Sequence, residues 1–130
     1  MARPDPDTLA STKLTPADAS TPSLPPAEAA RLTAALDSGW RLDGDRLIRE
    51  YRFPTFAAAF GLATRIALLA ESQNHHPTLE VSWGRLVVSW TTDAIGALSE
   101  NDVVMAAKVD RLVSRGIGLK DDRAPRSTGR

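Results

Sequence analysis

The 130-residue sequence contains no cysteine. That excludes a disulfide framework and thiolate chemistry, and it permits a reducing compartment. An excess of charge of one sign is also missing: sixteen basic and sixteen acidic residues give a formal net charge of zero. Nothing therefore steers the chain toward nucleic acid or an anionic membrane surface. No apolar run approaches the length needed to span a bilayer. The N-terminus lacks the charged-then-apolar layout of a secretory signal, so a cytoplasmic location is expected. Histidine is scarce as well, with only two residues, adjacent at His75 and His76. What is present, 42% hydrophobic and 25% charged residues, suits one soluble globular domain.

The ends of the chain read differently from its middle. Residues 1–23 carry no aromatic and are dense in Pro, Ser, Thr, Asp and Ala, and six of the nine prolines fall within the first 26 positions. Such a segment offers little apolar surface to offset its ordering entropy, so a disordered arm is expected there. The last residues, 120–130, are equally poor in apolar side chains and are expected to be a flexible tail. The folded domain then spans 24–119.

Within it, Pro25 and Pro26 suit a helix start, where a missing N–H costs little. Ala29, Leu32 and Leu36 recur at helical spacing, and Gly39 is placed to stop that helix in the left-handed conformation. Trp40–Leu42 and about Arg46–Phe53 form a hairpin around Asp43-Gly44. Pro54 precedes a long helix to Gln73, whose apolar stripe includes Phe56, Phe60, Ala63, Ala67 and Ala70, with Leu62, Ile66 and Leu69 widening it; the two phenylalanines are expected in the core. From Leu79 the pattern alternates, with Leu79, Val81 and Trp83 on one face, and after Gly84 it resumes with Leu86, Val88 and Trp90. Ser99-Glu100-Asn101-Asp102 has the form of a capping box. Met105, Ala106, Val109, Leu112 and Val113 mark the last helix. The order α-β-β-α-β-β-α predicts an α+β domain, a four-stranded antiparallel sheet with three helices packed on one face.

The two imidazoles lie where the long helix ends, before Pro77, and a strand begins. A rigid element fixes side chains there without burying them. Neighbouring side chains on extended backbone point to opposite faces, and there is no Cys and no His-Glu-x-x-His, so a metal site is not expected. An imidazolium can also cap the negative end of the preceding helix. Acid–base work is the third use, because His titrates near neutral pH.

Glu71, three residues, His75-His76-Pro77, five residues, Trp83 and, further on, Asp102 together resemble the pattern of the pterin-4a-carbinolamine dehydratase family. The Trp40 opening and the alternating run Leu47, Arg49, Tyr51, Phe53 are similar to it too, so the resemblance covers nearly all of the folded region. One element departs. Where the family has a third active-site histidine in Thr-His-x-x-Gly-Gly-Leu, this chain has Thr92-Asp93-Ala94-Ile95-Gly96-Ala97-Leu98.

The resemblance implies an enzyme that dehydrates 4a-hydroxytetrahydropterin to quinonoid dihydropterin, with no metal or organic cofactor. It implies homodimers or homotetramers, with a reduced pterin as the only small-molecule partner. His75, His76 and Asp93 are then the catalytic candidates, and Glu71, Pro77 and Trp83 the substrate-binding ones, with Glu71 orienting an imidazole. A carboxylate has a reference pKa of ~3.9 against ~6.5 for imidazole, so Asp93 accepts protons at neutral pH more readily than it offers them. The same resemblance includes non-enzymatic relatives that assist Rubisco assembly beside α-carboxysomes. The alternative function is therefore an assembly factor whose partner is the Rubisco large subunit.

Overall fold

The computed structural model of the protein describes residues 4–116, together with the backbone of residues 126 and 127. Four strands, β1 (Arg41–Asp43), β2 (Arg46–Arg52), β3 (Thr78–Ser82) and β4 (Arg85–Trp90), form one antiparallel sheet in the order β1-β2-β4-β3. A two-residue strand, β5 (Arg126–Ser127), pairs with the end of β2 on the edge that β1 also occupies. The flexible tail expected over 120–130 otherwise lies outside the described residues.

Alternation decides which face of the sheet is covered. Leu47 and Tyr51 of β2 and Leu86, Val88 and Trp90 of β4 are fully buried, and Leu79 and Val81 of β3 pack beside them. The helices α2 (Pro26–Thr33), α3 (Phe56–Gln73) and α4 (Glu100–Ser114) supply the other half of that core through Leu32, Ile66, Val103, Met105 and Val109. Both tight hairpins are closed by two-residue loops, Gly44-Asp45 and Trp83-Gly84. Gly84 has φ +66°, and a Cβ there would come within 2.8 Å of the Phe53 carbonyl oxygen, so only glycine fits.

Three local expectations differ from the structure. Gly39 does not end α2, which stops at Thr33, and its φ is not positive. Its smallness serves Arg49 instead, whose Nε would lie 2.8 Å from an added Cβ. Arg49 is buried over the Tyr51 ring and is paired with Asp37 and Asp110. Phe56 and Phe60 are not core: they stack on each other at 6.1 Å but are 49% and 56% exposed. The buried stripe of α3 is Ala59, Leu62, Ala63, Ile66 and Ala70, because this helix is apolar nearly all round and packing selects one side.

The third difference is the N-terminal arm. From Pro4 onward it is ordered against the domain, with α1 (Pro6–Ser11) lying on α4. Asp5 caps the start of α1, Leu9 and Ala10 are buried, and Leu14 packs against the same cluster. Lys108 donates to the Ala10 carbonyl at 2.8 Å, and Arg111 reaches the Asp7 carbonyl and the Ser11 hydroxyl. Cations from α4 thus meet the carbonyl end of a helix too short to stand alone. Composition misled here because few apolar side chains suffice when the domain provides the rest of the contact.

Leu9→Ala should therefore cost about 2 kcal/mol, the low end of buried Leu truncations, and lower the melting temperature by several degrees. Deleting residues 1–23 should lower it further. A melting curve unchanged by both would mean that the arm is not docked in solution.

Candidate active site

The geometry begins at the C-terminus of α3. Asn74 adopts the left-handed conformation (φ 53°, ψ 41°) and is the only non-glycine residue at positive φ among the described residues. The His75 N–H then reaches back to the Ala70 carbonyl at 3.2 Å and the Asn74 N–H to Glu71 at 3.3 Å, the paired bonds that close a helix on an αL residue. This reversal sends the two adjacent imidazoles to different surroundings. His75 turns inward and is 8% exposed, whereas His76 stays at the surface.

His75 is held on two sides. Its ring stacks on Trp90 with centroids 5.8 Å apart and planes 7° from parallel. Its Nε2 lies 2.7 Å from Oδ1 of Asp102, a residue with no exposed surface. The other carboxylate oxygen of Asp102 accepts from the Thr92 hydroxyl at 2.7 Å and from the Ser99 N–H at 2.9 Å. The Ser99 and Thr92 hydroxyls lie 2.6 Å apart, and since the Thr92 proton points to Asp102, Ser99 must donate to Thr92. Two donors already fix Oδ2 as an acceptor, and an ionised carboxylate offers only acceptor sites at Oδ1 as well. His75 therefore carries its proton on Nε2 toward Asp102, and Nδ1 is the nitrogen left for other work.

His76 has its own carboxylate: Nε2 lies 2.9 Å from Oε1 of Glu71, one helical turn back, in an exposed pair. The site so far consists of two imidazoles, each oriented by a carboxylate, one pair buried and one wet. Among the described residues no three His, Cys, Asp or Glu side chains group as metal ligands.

The remaining sequence candidates are placed less uniformly. Pro77 follows His76 directly and leads into β3. Asp93 is exposed in the turn closed by the Thr92–Ala97 bridge, next to a member of the Asp102 network. Its side chain makes no hydrogen bond or ion pair with either imidazole among the described residues. Trp83 is 75% exposed in the β3–β4 loop, at the opposite end of β3 from the histidines. Five strand residues separate them, roughly 17 Å of extended chain, so within one chain Trp83 does not join the site. Sequence reasoning missed Trp90 as the stacking partner, and it read Asp102 as a helix cap and an element of the spaced pattern but gave it no role at the site. It is both cap and imidazole partner, and its place in the spaced pattern after the histidines was the available signal.

Residues 22–112 match the family model described as pterin 4 alpha carbinolamine dehydratase. A relative from Azoarcus sp. (strain BH72), named for that activity, is 38% identical over 112 residues, 85% of this chain and 95% of its own length. Another from Rickettsia canadensis (strain McKiel) is 37% identical over 103 residues, 78% of this chain and 94% of its own. Among solved structures the chain is similar to one from Brucella melitensis described as a transcriptional coactivator/pterin dehydratase. That structure shares 31% identity at a TM-score of 0.65, covering 70% of this chain and 98% of the other.

The carboxylate network makes a spectroscopic prediction. Asp102→Asn keeps volume and can still accept from Ser99 and Thr92, but it turns an NH2 toward His75. The imidazole should then move its proton to Nδ1, a tautomer change visible in 15N ring shifts. Asp102→Ala should instead destabilise the fold by at least about 2 kcal/mol, since buried donors are left without acceptors. Unaltered ring shifts in Asp102→Asn would show that Asp102 does not set the tautomer.

Proposed function

The chain belongs to the pterin-4-alpha-carbinolamine dehydratase family, and we propose that it dehydrates a 4a-hydroxytetrahydropterin to the quinonoid dihydropterin in the cytosol. The observation that carries this reading is the pair of adjacent imidazoles, each bonded to its own carboxylate. The reaction needs exactly two proton movements: one proton leaves a ring N–H, and one joins the departing 4a-hydroxyl so that it leaves as water. Two imidazoles, each with a ring nitrogen that can give or take a proton, can supply both, and such transfers typically contribute ~10²–10⁴-fold each.

In this reading His76, exposed and paired with Glu71, meets the substrate and exchanges protons with it. His75, fixed by Trp90 and Asp102, lines the buried side and keeps Nδ1 as acceptor. Pro77 fixes the backbone between helix and strand. Asp93 stands where relatives of this family carry a third histidine; as a carboxylate it can accept but seldom donates a proton, so it limits the rate. The protein acts as a homodimer or homotetramer. Phe56, Phe60 and Leu68, all on the exposed side of α3, support burial of that face between copies.

The rival reading is a dehydratase-like assembly factor for Rubisco that has lost the chemistry. One observation favours it: the Asp93 side chain has no partner among the described residues, as a position released from catalytic duty would.

Asp93→His should speed dehydration by up to roughly 10²–10⁴-fold, while His76→Ala should abolish turnover. Reduced-pterin affinity should change less than rate in Asp93→His. If neither the wild type nor Asp93→His binds any reduced pterin, the enzyme reading is sunk. Co-purification with Rubisco large subunits would then favour the alternative.

A further inference from the structure

The arm that packs on α4 continues as a strap, residues 12–23, and this strap passes beside His75. It is anchored at both ends, by Leu9 and Ala10 on α4 and by the Leu24 N–H, which donates to the Leu98 carbonyl at 2.8 Å. Between the anchors Leu14 packs against the core, and next to it one domain side chain hydrogen-bonds the strap backbone. The Asn101 side chain accepts from the Thr15 N–H at 3.3 Å and donates to the Thr15 carbonyl at 2.7 Å. A single carboxamide thus satisfies both main-chain groups of Thr15, as a neighbouring strand would. Asn101 is 7% exposed and precedes Asp102, the partner of His75.

On one side of this clasp is a cavity of about 70 Å³ lined by Leu14, Thr15, Asn74, His75 and Asn101, among others. On the other side the strap stands off the domain over a cavity of about 420 Å³. The clasp residues Thr15 and Asn101 line both spaces. The smaller one has room for roughly two waters, at ~30 Å³ each, and lies far below the ~300–1,000 Å³ of pockets that take small organic ligands.

We propose that the strap is a built wall of the site and that Asn101 is a positioning residue, which clasps the strap over His75 and shields the His75–Asp102 bond from bulk water. A substrate cannot reach His75 from under the strap, so it approaches from the His76 side. Beside His75 the strap leaves only water-sized space, and the larger cavity is not lined by His75. Exclusion of bulk solvent there strengthens the carboxylate–imidazole bond, because a hydrogen bond gains in a medium of low dielectric. Residues 4–21 precede the segment matched by the family model, so this wall is not part of what that match describes. Only the kinetic part of the inference rests on the proposed reaction.

The test is exchange of the His75 Nε2–H with solvent, followed by NMR on the ligand-free full chain. Asn101→Ala removes both clasp bonds, and Thr15→Pro removes the N–H donor without touching α4. Exchange should quicken by at least about tenfold in Asn101→Ala, since each lost hydrogen bond changes the opening equilibrium several-fold. It should quicken by a smaller factor in Thr15→Pro. Ser20→Ala, on the strap but outside the clasp, should exchange as the wild type does. If the enzyme reading holds, kcat for dehydration falls in both clasp variants while KM changes little. Wild-type exchange rates in folded Asn101→Ala and Thr15→Pro would overturn the proposal. Faster exchange in a protein that turns over no pterin would sustain the strap and sink the enzyme reading instead.

Discussion

An ionised carboxylate without solvent is costly unless donors surround it, and Asp102 meets that constraint with three. Those donors come from three parts of the chain: the start of α4, the turn after β4, and the residue just past α3. A single side chain therefore terminates a helix, ties down the 92–97 turn and orients an imidazole. Loss of any one donor would leave the charge less satisfied and loosen the other two elements with it. The sheet and the core bring these segments within reach, but the carboxylate fixes their mutual geometry to hydrogen-bond precision.

The two histidines show how backbone geometry can give one residue type two surroundings. A left-handed Asn74 turns the chain sharply, so adjacent side chains separate into protein and solvent. His75 loses freedom to Trp90 and Asp102, while His76 keeps contact with water and with Glu71 alone. An acid–base pair benefits from such asymmetry, because one group must hold its proton in a defined place while the other trades with its surroundings.

Much of this was legible in the sequence. Period-two alternation in β2, β3 and β4 pointed to the sheet, and the spacing pointed to Glu71, His75 and His76 as neighbours at the end of α3. The parts that were not legible share a physical cause: they depend on what a neighbouring segment offers. The arm docks through two buried side chains and cations borrowed from α4, which no local pattern reveals. Phe56 and Phe60 look like core in a helix apolar on most sides, and only the packing of Ala59, Leu62 and Ile66 decides otherwise. Gly39 lies in the 37–40 turn without a positive φ, and its missing side chain leaves room for Arg49. Trp83 keeps the alternating phase of β3, yet its place in the two-residue loop takes it away from both the core and the histidines.

The stacking of His75 on Trp90 has an optical consequence. The protein has three tryptophans, of which Trp90 is fully buried, Trp40 is buried and bonded to Asp110, and Trp83 is largely in water. Among the three, Trp90 is the one stacked, in an offset parallel arrangement, on an imidazole. An excited indole gives up an electron readily to a cationic ring in contact with it, so a second proton on His75 would dim Trp90 and leave the other two tryptophans bright. The molecule thus contains its own fluorescent indicator of the charge on its least accessible histidine, readable without a label or a ligand.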